Sequence, residues 1–271
     1  MQLPIVDWEG TPMGSRYLSK ASQHVFGKTL LGARLSSVLI GTLTILFVYL
    51  MGRKAWGIQM GLIAASLLSF SQYHIAISRL THNNAIHLFV IVLSLLAFYT
   101  AIKNKDGRLF LLNALIIGFG FWFKESVVLL LVVNFIFLLL DREARFWLKN
   151  KYYWVSILLS LGVIVPLFCV SLTPQGARFN YLTSSARFGV SLNATSLYLG
   201  ELLLAILRFI PQAFHAILSH FESEGILQSW IMGVFALIAF IKYFKSKDPL
   251  LRLLVLAFGI NFLIFSLISG I

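Results

Sequence analysis

Residues 85–102 read AIHLFVIVLSLLAFYTAI, and within six residues the chain turns to Lys103, Lys105 and Arg108. Eighteen residues with so few polar groups approach the about 20 that an α-helix needs to cross a bilayer's hydrocarbon core. The segment ahead of them, Ser78-Arg79-Leu80-Thr81-His82-Asn83-Asn84, is polar in a different way, rich in amide and imidazole rather than lysine. An apolar run with a basic loop at one end and a different polar chemistry at the other is the pattern of a membrane span.

Outward from this stretch the pattern repeats. Apolar runs cover roughly 31–52, 57–73, 109–123, 126–140, 153–172, 226–243 and 250–269. The expectation is an all-α, polytopic transmembrane helical bundle of about eight spans, forming a single membrane domain over 1–271. The runs at 109–123 and 126–140 are short for a span. Lys124-Glu125 between them marks a tight hairpin, because one helix from 109 to 140 would be far too long. Composition agrees: 59% of the 271 residues are hydrophobic and only 12% are charged. The formal charge of +12 would suggest nucleic acid in a soluble protein, but in a membrane chain it reads as the charge that holds loops on the cytoplasmic side. With Cys169 as the single cysteine, no intrachain disulfide can form.

The loops alternate in character. Arg53 and Lys54, then Lys103, Lys105 and Arg108, then Arg142, Arg145, Lys149 and Lys151, then Lys242, Lys245, Lys247 and Arg252 fall on one side. These are 13 of the 22 basic residues, so that side is cytoplasmic. The outer side then holds 1–30, the 74–84 island, Lys124-Glu125 and the long 173–225 region. All six histidines lie in or beside those outer segments. Six spans are expected over 31–172 and two over 226–271. Residues 197–222 carry Glu201, Arg208, Gln212, His215, Ser219 and Glu222 at helical spacing, with Pro211 among them. A span would place Arg208 near the midplane at a cost of roughly 2.5–3.5 kcal/mol, so this segment reads as an interfacial amphipathic helix on the outer face. A tilted span with its polar face buried in the bundle is the alternative. The first apolar run has more basic residues before it than after it, which conflicts with this scheme. A further span preceding Met1 would remove the conflict.

Chemistry could sit in three outer pieces. In the island, Asn83, Asn84 and His87 share the first turn of the next helix, where an asparagine also serves as an ordinary cap. Arg79 could equally be a headgroup anchor. A lysine at the outer interface, Lys124, is placed to bind a lipid-linked phosphate as a point charge, although a Lys-Glu pair is also what a solvated turn looks like. Asp7 and Glu9 are the only carboxylates before Asp106. A carboxylate at the membrane surface can act as a general base or hold a divalent cation, or simply belong to a hydrated loop. No nucleotide loop, zinc spacing or nucleophile elbow is present, and no other cofactor is implied. The pair Gly57 and Gly61 forms a lone, weak GxxxG.

From Pro12 to about Leu140 the chain resembles the polytopic GT-C glycosyltransferases, the polyprenyl-phosphate-sugar-dependent enzymes that include protein O-mannosyltransferases and aminoarabinose transferases. The matching text is Thr11-Pro12-Met13, Val25-Phe26-Gly27, Ala33-Arg34-Leu35-Ser36-Ser37, Gly41-Thr42-Leu43-Thr44, Gly61-Leu62-Ile63-Ala64-Ala65, Ile77 to Ala85, and Lys124-Glu125. The resemblance implies sugar transfer on the non-cytoplasmic face, in a plasma membrane, from a polyprenyl phosphate to an acceptor glycan, lipid or protein. It implies that Arg79 and Lys124 face the lipid phosphate and that Arg34 matches an arginine at the start of the family's second span. His82, Asn84 and Glu125 join them as substrate-binding candidates, with Asp7 and Glu9 as catalytic ones. The family's acidic pair follows a span absent from this chain, and Asn84 stands where the family usually has Asp. Two other readings remain open. One is a transporter or lipid flippase, against which the charge-free centres of the spans argue. The other is a non-catalytic relative of the enzyme fold.

Overall fold

The computed structural model describes residues 14–80, 83–171 and 248–269, and all the regular elements among them are helical. The chain divides into two compact units, Met1–Arg178 and Phe179–Ile271. The first contains α1 (Gly14–Phe26), α2 (Leu30–Trp56), α3 (Ile58–Ser69), α4 (Gln72–Arg79), α5 (Asn83–Asn104), α6 (Arg108–Gly120), the 3-10 turn η1 (Glu125–Val128), α7 (Leu129–Leu140), the 3-10 turn η2 (Arg145–Lys149) and α8 (Lys151–Ser171). The second contributes α9 (Pro249–Ser269). Residues 197–222 lie outside the described residues.

Helices α2 and α5 are each long and apolar enough to cross a membrane; α3 and α4 make a third candidate if they form one span bent by 62°. Among the other described apolar helices, α6 and α7 are shorter, with 13 and 12 residues. Large apolar side chains such as Phe70, Val25 and Leu158 are 81%, 74% and 69% exposed, and such surface marks a chain made to contact lipid or a partner rather than water. This is an integral membrane protein.

Small residues set the closest approach. Gly57 turns α2 into α3 with φ +94, a conformation that L side chains avoid. Gly61 then lies against α2, where a Cβ would come 2.7 Å from the Tyr49 carbonyl and 2.8 Å from the Arg53 nitrogen. These two glycines therefore serve one hairpin, the first as its turn and the second as its contact, rather than a helix-dimer face. Elsewhere polar side chains lace helices together. Ser94 on α5 donates to Asn113 Oδ1 on α6 at 2.6 Å, and Ser160 on α8 donates to the Ala114 carbonyl at 3.2 Å.

Where α5 ends, the core is aromatic. Phe98, Phe110, Phe137, Trp147 and Tyr153 come from α5, α6, α7, η2 and α8, and each is at most 3% exposed. Phe110 meets Phe98, Trp147 and Tyr153 edge-on at 5.6, 4.9 and 5.8 Å. Such pairs contribute about 0.5–1.5 kcal/mol each beyond the area they bury.

A helix, α1, lies in the polar to mixed stretch ahead of the first apolar run. Ser15, Ser19 and Ser22 fall on one face of α1 at helical spacing. Ser19 donates to the Ala33 carbonyl at 3.0 Å and Ser22 to the Gly32 carbonyl at 2.6 Å. These bonds fasten α1 to the first turn of α2.

Candidate functional site

A polar site forms where α5 begins. Helix α6 ends at Gly120, and its last carbonyls are satisfied by a tightening turn. Phe121, Trp122, Phe123 and Lys124 donate back to Ile117, Phe119, Gly120 and Gly120, at 3.0–3.1 Å. The backbone then extends at Lys124 (φ −155, ψ 127) before Glu125 opens η1. This break lies where the polar pair between two short apolar runs foretold it.

The extended backbone turns the Lys124 side chain toward α5, where Nζ donates to Asn84 Oδ1 at 3.2 Å. One helical turn on, His87 Nε2 is hydrogen-bonded to Ser126 Oγ at 3.0 Å. Two bonds thus join the first turn of α5 to the α6–α7 turn. A third element arrives at the same place: Gly14, the first residue of α1, donates its N–H to the Trp122 carbonyl at 3.1 Å. The approach is too close for a side chain, since a Cβ there would sit 2.5 Å from that carbonyl and 2.8 Å from the Phe123 ring.

Electrostatics single out Lys124. It is half-buried, and burial holds its ammonium below the usual lysine range. Its partner is a neutral amide, and among the described residues no carboxylate pairs with it. The amide carbonyl accepts one of three ammonium protons and orients the group without cancelling its charge. A partly desolvated cation with donors to spare is suited to an anion, most of all to a phosphate oxygen.

Of the residues the sequence singled out, Asn84 and Lys124 are brought together. Arg79 lies exposed in the last turn of α4 and Arg34 exposed in the second turn of α2, and neither is hydrogen-bonded to the pair. Asp7, Glu9 and His82 lie outside the described residues. His74, read as part of an outer polar patch, is instead 3% exposed, and its Nε2 donates to the Gly41 carbonyl at 3.2 Å, pinning α4 to α2. Ser126 was missed. Its signal was position, two residues after Lys124 and first in the run read as apolar from 126 to 140. Among the described residues, no group of three or more His, Cys, Asp or Glu could hold a metal ion.

The family model for dolichyl-phosphate-mannose-protein mannosyltransferase matches residues 10–169, more than half of the chain, and the chain belongs to that family. The match takes in the polar site and continues past Leu140 into α8. Over 161 residues the chain is 28% identical to the undecaprenyl phosphate-alpha-4-amino-4-deoxy-L-arabinose arabinosyl transferase 2 of Pseudomonas fluorescens, an alignment covering 57% of this chain and 27% of that protein. The chain thus spans about a quarter of the length of the curated relative it matches. No solved structure matches the chain.

Proposed function

We propose that this chain is the donor-binding part of a membrane glycosyltransferase that moves a sugar from a polyprenyl phosphate to an acceptor hydroxyl on the non-cytoplasmic face of a plasma membrane. The observation that carries the reading is Lys124, half-buried and held by the neutral Asn84 at the polar end of the unit. In the transfer, the bond between the sugar's anomeric carbon and the phosphate oxygen breaks as the acceptor oxygen bonds to that carbon. Negative charge builds on the departing lipid phosphate, and a fixed ammonium stabilises it more than it stabilises the ground state. Arg79 is a second cation for the same phosphate, with Arg34, His82 and Glu125 as further substrate contacts.

The acceptor must lose a proton, and Asp7 or Glu9 is the base this reading assigns. Glu9 is five residues ahead of Gly14, which is fastened beside Trp122. Five residues reach at most about 18 Å, so chain length alone permits that carboxylate to act near Lys124. The same carboxylates would be the ligands of any divalent cation. About eight spans, one membrane domain and an interfacial helix at 197–222 complete the architecture. Acceptor classes remain a glycan, a lipid or a protein.

Undecaprenyl-phosphate-linked aminoarabinose, the sugar donor in the relative's name, is the first probe. Lys124→Ala and Arg79→Ala are each expected to abolish transfer in the complete protein while membrane insertion stays normal. Full activity in both variants sinks the assignment. Asn84 favours a second reading, a non-catalytic relative, because an amide cannot accept the acceptor's proton. Sugar transfer gained on Asn84→Asp from an inert parent would decide for it.

A further inference from the structure

The last turns of α2 and α5 carry a feature that sugar transfer does not use. Arg53 and Lys54 close α2, and Lys103 closes α5. A cation at a helix C-terminus is favourable on its own, and one per helix would satisfy that rule. These two lysines are instead tied together across the helix interface. Lys54 Nζ donates to Thr100 Oγ1 at 3.1 Å, and Lys103 Nζ donates to the Lys54 carbonyl at 2.6 Å. Lys103 also stands 5.5 Å above the buried Tyr99 ring, which fixes it further.

Among the described residues neither ammonium is ion-paired with a carboxylate. Asp106, the acid nearest in sequence, is spent on capping, its Oδ1 accepting from the Arg108 N–H at 2.9 Å. Each ammonium has three donors, and these contacts leave some of them open. Snorkelling would carry each lysine outward by itself, whereas the cross-bonds hold the pair as one dication without a counter-charge. The α2–α3 turn that follows exposes apolar surface, with Trp56 40% and Ile58 55% exposed. A free phosphate would answer only the charge. A phosphate that carries hydrocarbon answers both.

We propose that Lys54, Thr100 and Lys103 hold the phosphodiester headgroup of an anionic phospholipid whose acyl chains run over Trp56 and Ile58. Basic pockets between membrane helices take such headgroups. The site stands 19 residues along α5 from Asn84, about 28 Å at helical rise, and does not depend on the glycosyltransferase reading.

The test is lipid retention by the 271-residue chain in nanodiscs of phosphatidylcholine doped with phosphatidylglycerol, counted by native mass spectrometry. The wild type is expected to retain phosphatidylglycerol preferentially. The Lys54→Ala/Lys103→Ala double variant should lose roughly tenfold or more of that enrichment. Lys103→Gln, which keeps a donor within reach of the Lys54 carbonyl, should lose most of it with folding intact, so it carries the test if the double variant fails to fold. Lys149→Ala, in η2, should behave as wild type. Undiminished enrichment in Lys103→Gln overturns the proposal. So does displacement of the lipid by millimolar inorganic phosphate, which would make this a free-anion site.

Discussion

Where α5 stops, five elements close around interlocking rings; where it starts, three meet through single hydrogen bonds between polar atoms. The aromatic end is dry and redundant, with Phe110 touching three other rings at once. At the polar end, Lys124 to Asn84, Ser126 to His87 and Gly14 to Trp122 are separate links. Aromatic packing is therefore concentrated at one end and the proposed donor site at the other, and a substitution at either should leave the other's property alone.

The hardest way to break that division is Phe110→Ala. Losing a buried ring costs about 3–5 kcal/mol, so unfolding in detergent should show a large drop in stability. Affinity for undecaprenyl phosphate in the folded fraction should not change. A parallel loss of affinity would mean the two ends are coupled.

Lys124→Ala is the converse. It should weaken undecaprenyl phosphate binding by about 1.5–3 kcal/mol, the scale of a hydrogen bond to a charged group, with little change in unfolding. Burial holds the Lys124 pKa below the ordinary lysine value of 10.5. Binding should thus be full while the ammonium is charged and decline as pH rises through that lowered value, on the acid side of 10.5. A titration that falls only above the ordinary lysine value would contradict the buried setting.

Asn84→Asp sharpens the comparison at smaller scale. A carboxylate beside Lys124 competes with phosphate for the ammonium, at about 1 kcal/mol or less for a partly solvated pair. Affinity should fall a few-fold, and the alkaline decline should move to higher pH because the new charge favours the ammonium. Smallest is Ser126→Ala, which removes one hydrogen bond of about 1 kcal/mol or less. Thermal unfolding should register it, while phosphate binding through Lys124 persists.

Much of this was legible in sequence where apolar runs meet charges. The break after Gly120 could be read because Lys124-Glu125 interrupts two runs too short to stand alone. The end of α2 was harder: hydropathy placed it near 52, yet the helix continues to Trp56 through Arg53 and Lys54. Hydropathy marks where lipid contact ends, and backbone hydrogen bonding carries on beyond it. The run at 57–73 read as one span, whereas the helix breaks at Phe70 and restarts after Ser71, whose side chain accepts from the His74 N–H at 3.3 Å. The serines at 66, 69 and 71 were the available warning, since hydroxyls compete for backbone groups. His74 was misread because an imidazole inside a bundle and one in a site look alike until its partner, a carbonyl 33 residues away, is known. Nor could the His87–Ser126 bond, 39 residues apart, be read from local spacing. Helix α1 was missed because its inward face is serine rather than leucine, so no apolar stripe announced it.

The bond from Gly14 to the Trp122 carbonyl also sets a schedule for biosynthesis. Residue 122 leaves the ribosome more than a hundred residues after residue 14, which at about 5–20 residues per second is a delay of roughly 5–20 s. Until then α1 has its serine contacts with α2 but not the backbone bond at its first residue. The polar end is therefore completed only once α2 to α6 have been synthesised, yet before η2 and α8 supply the last rings of the aromatic end.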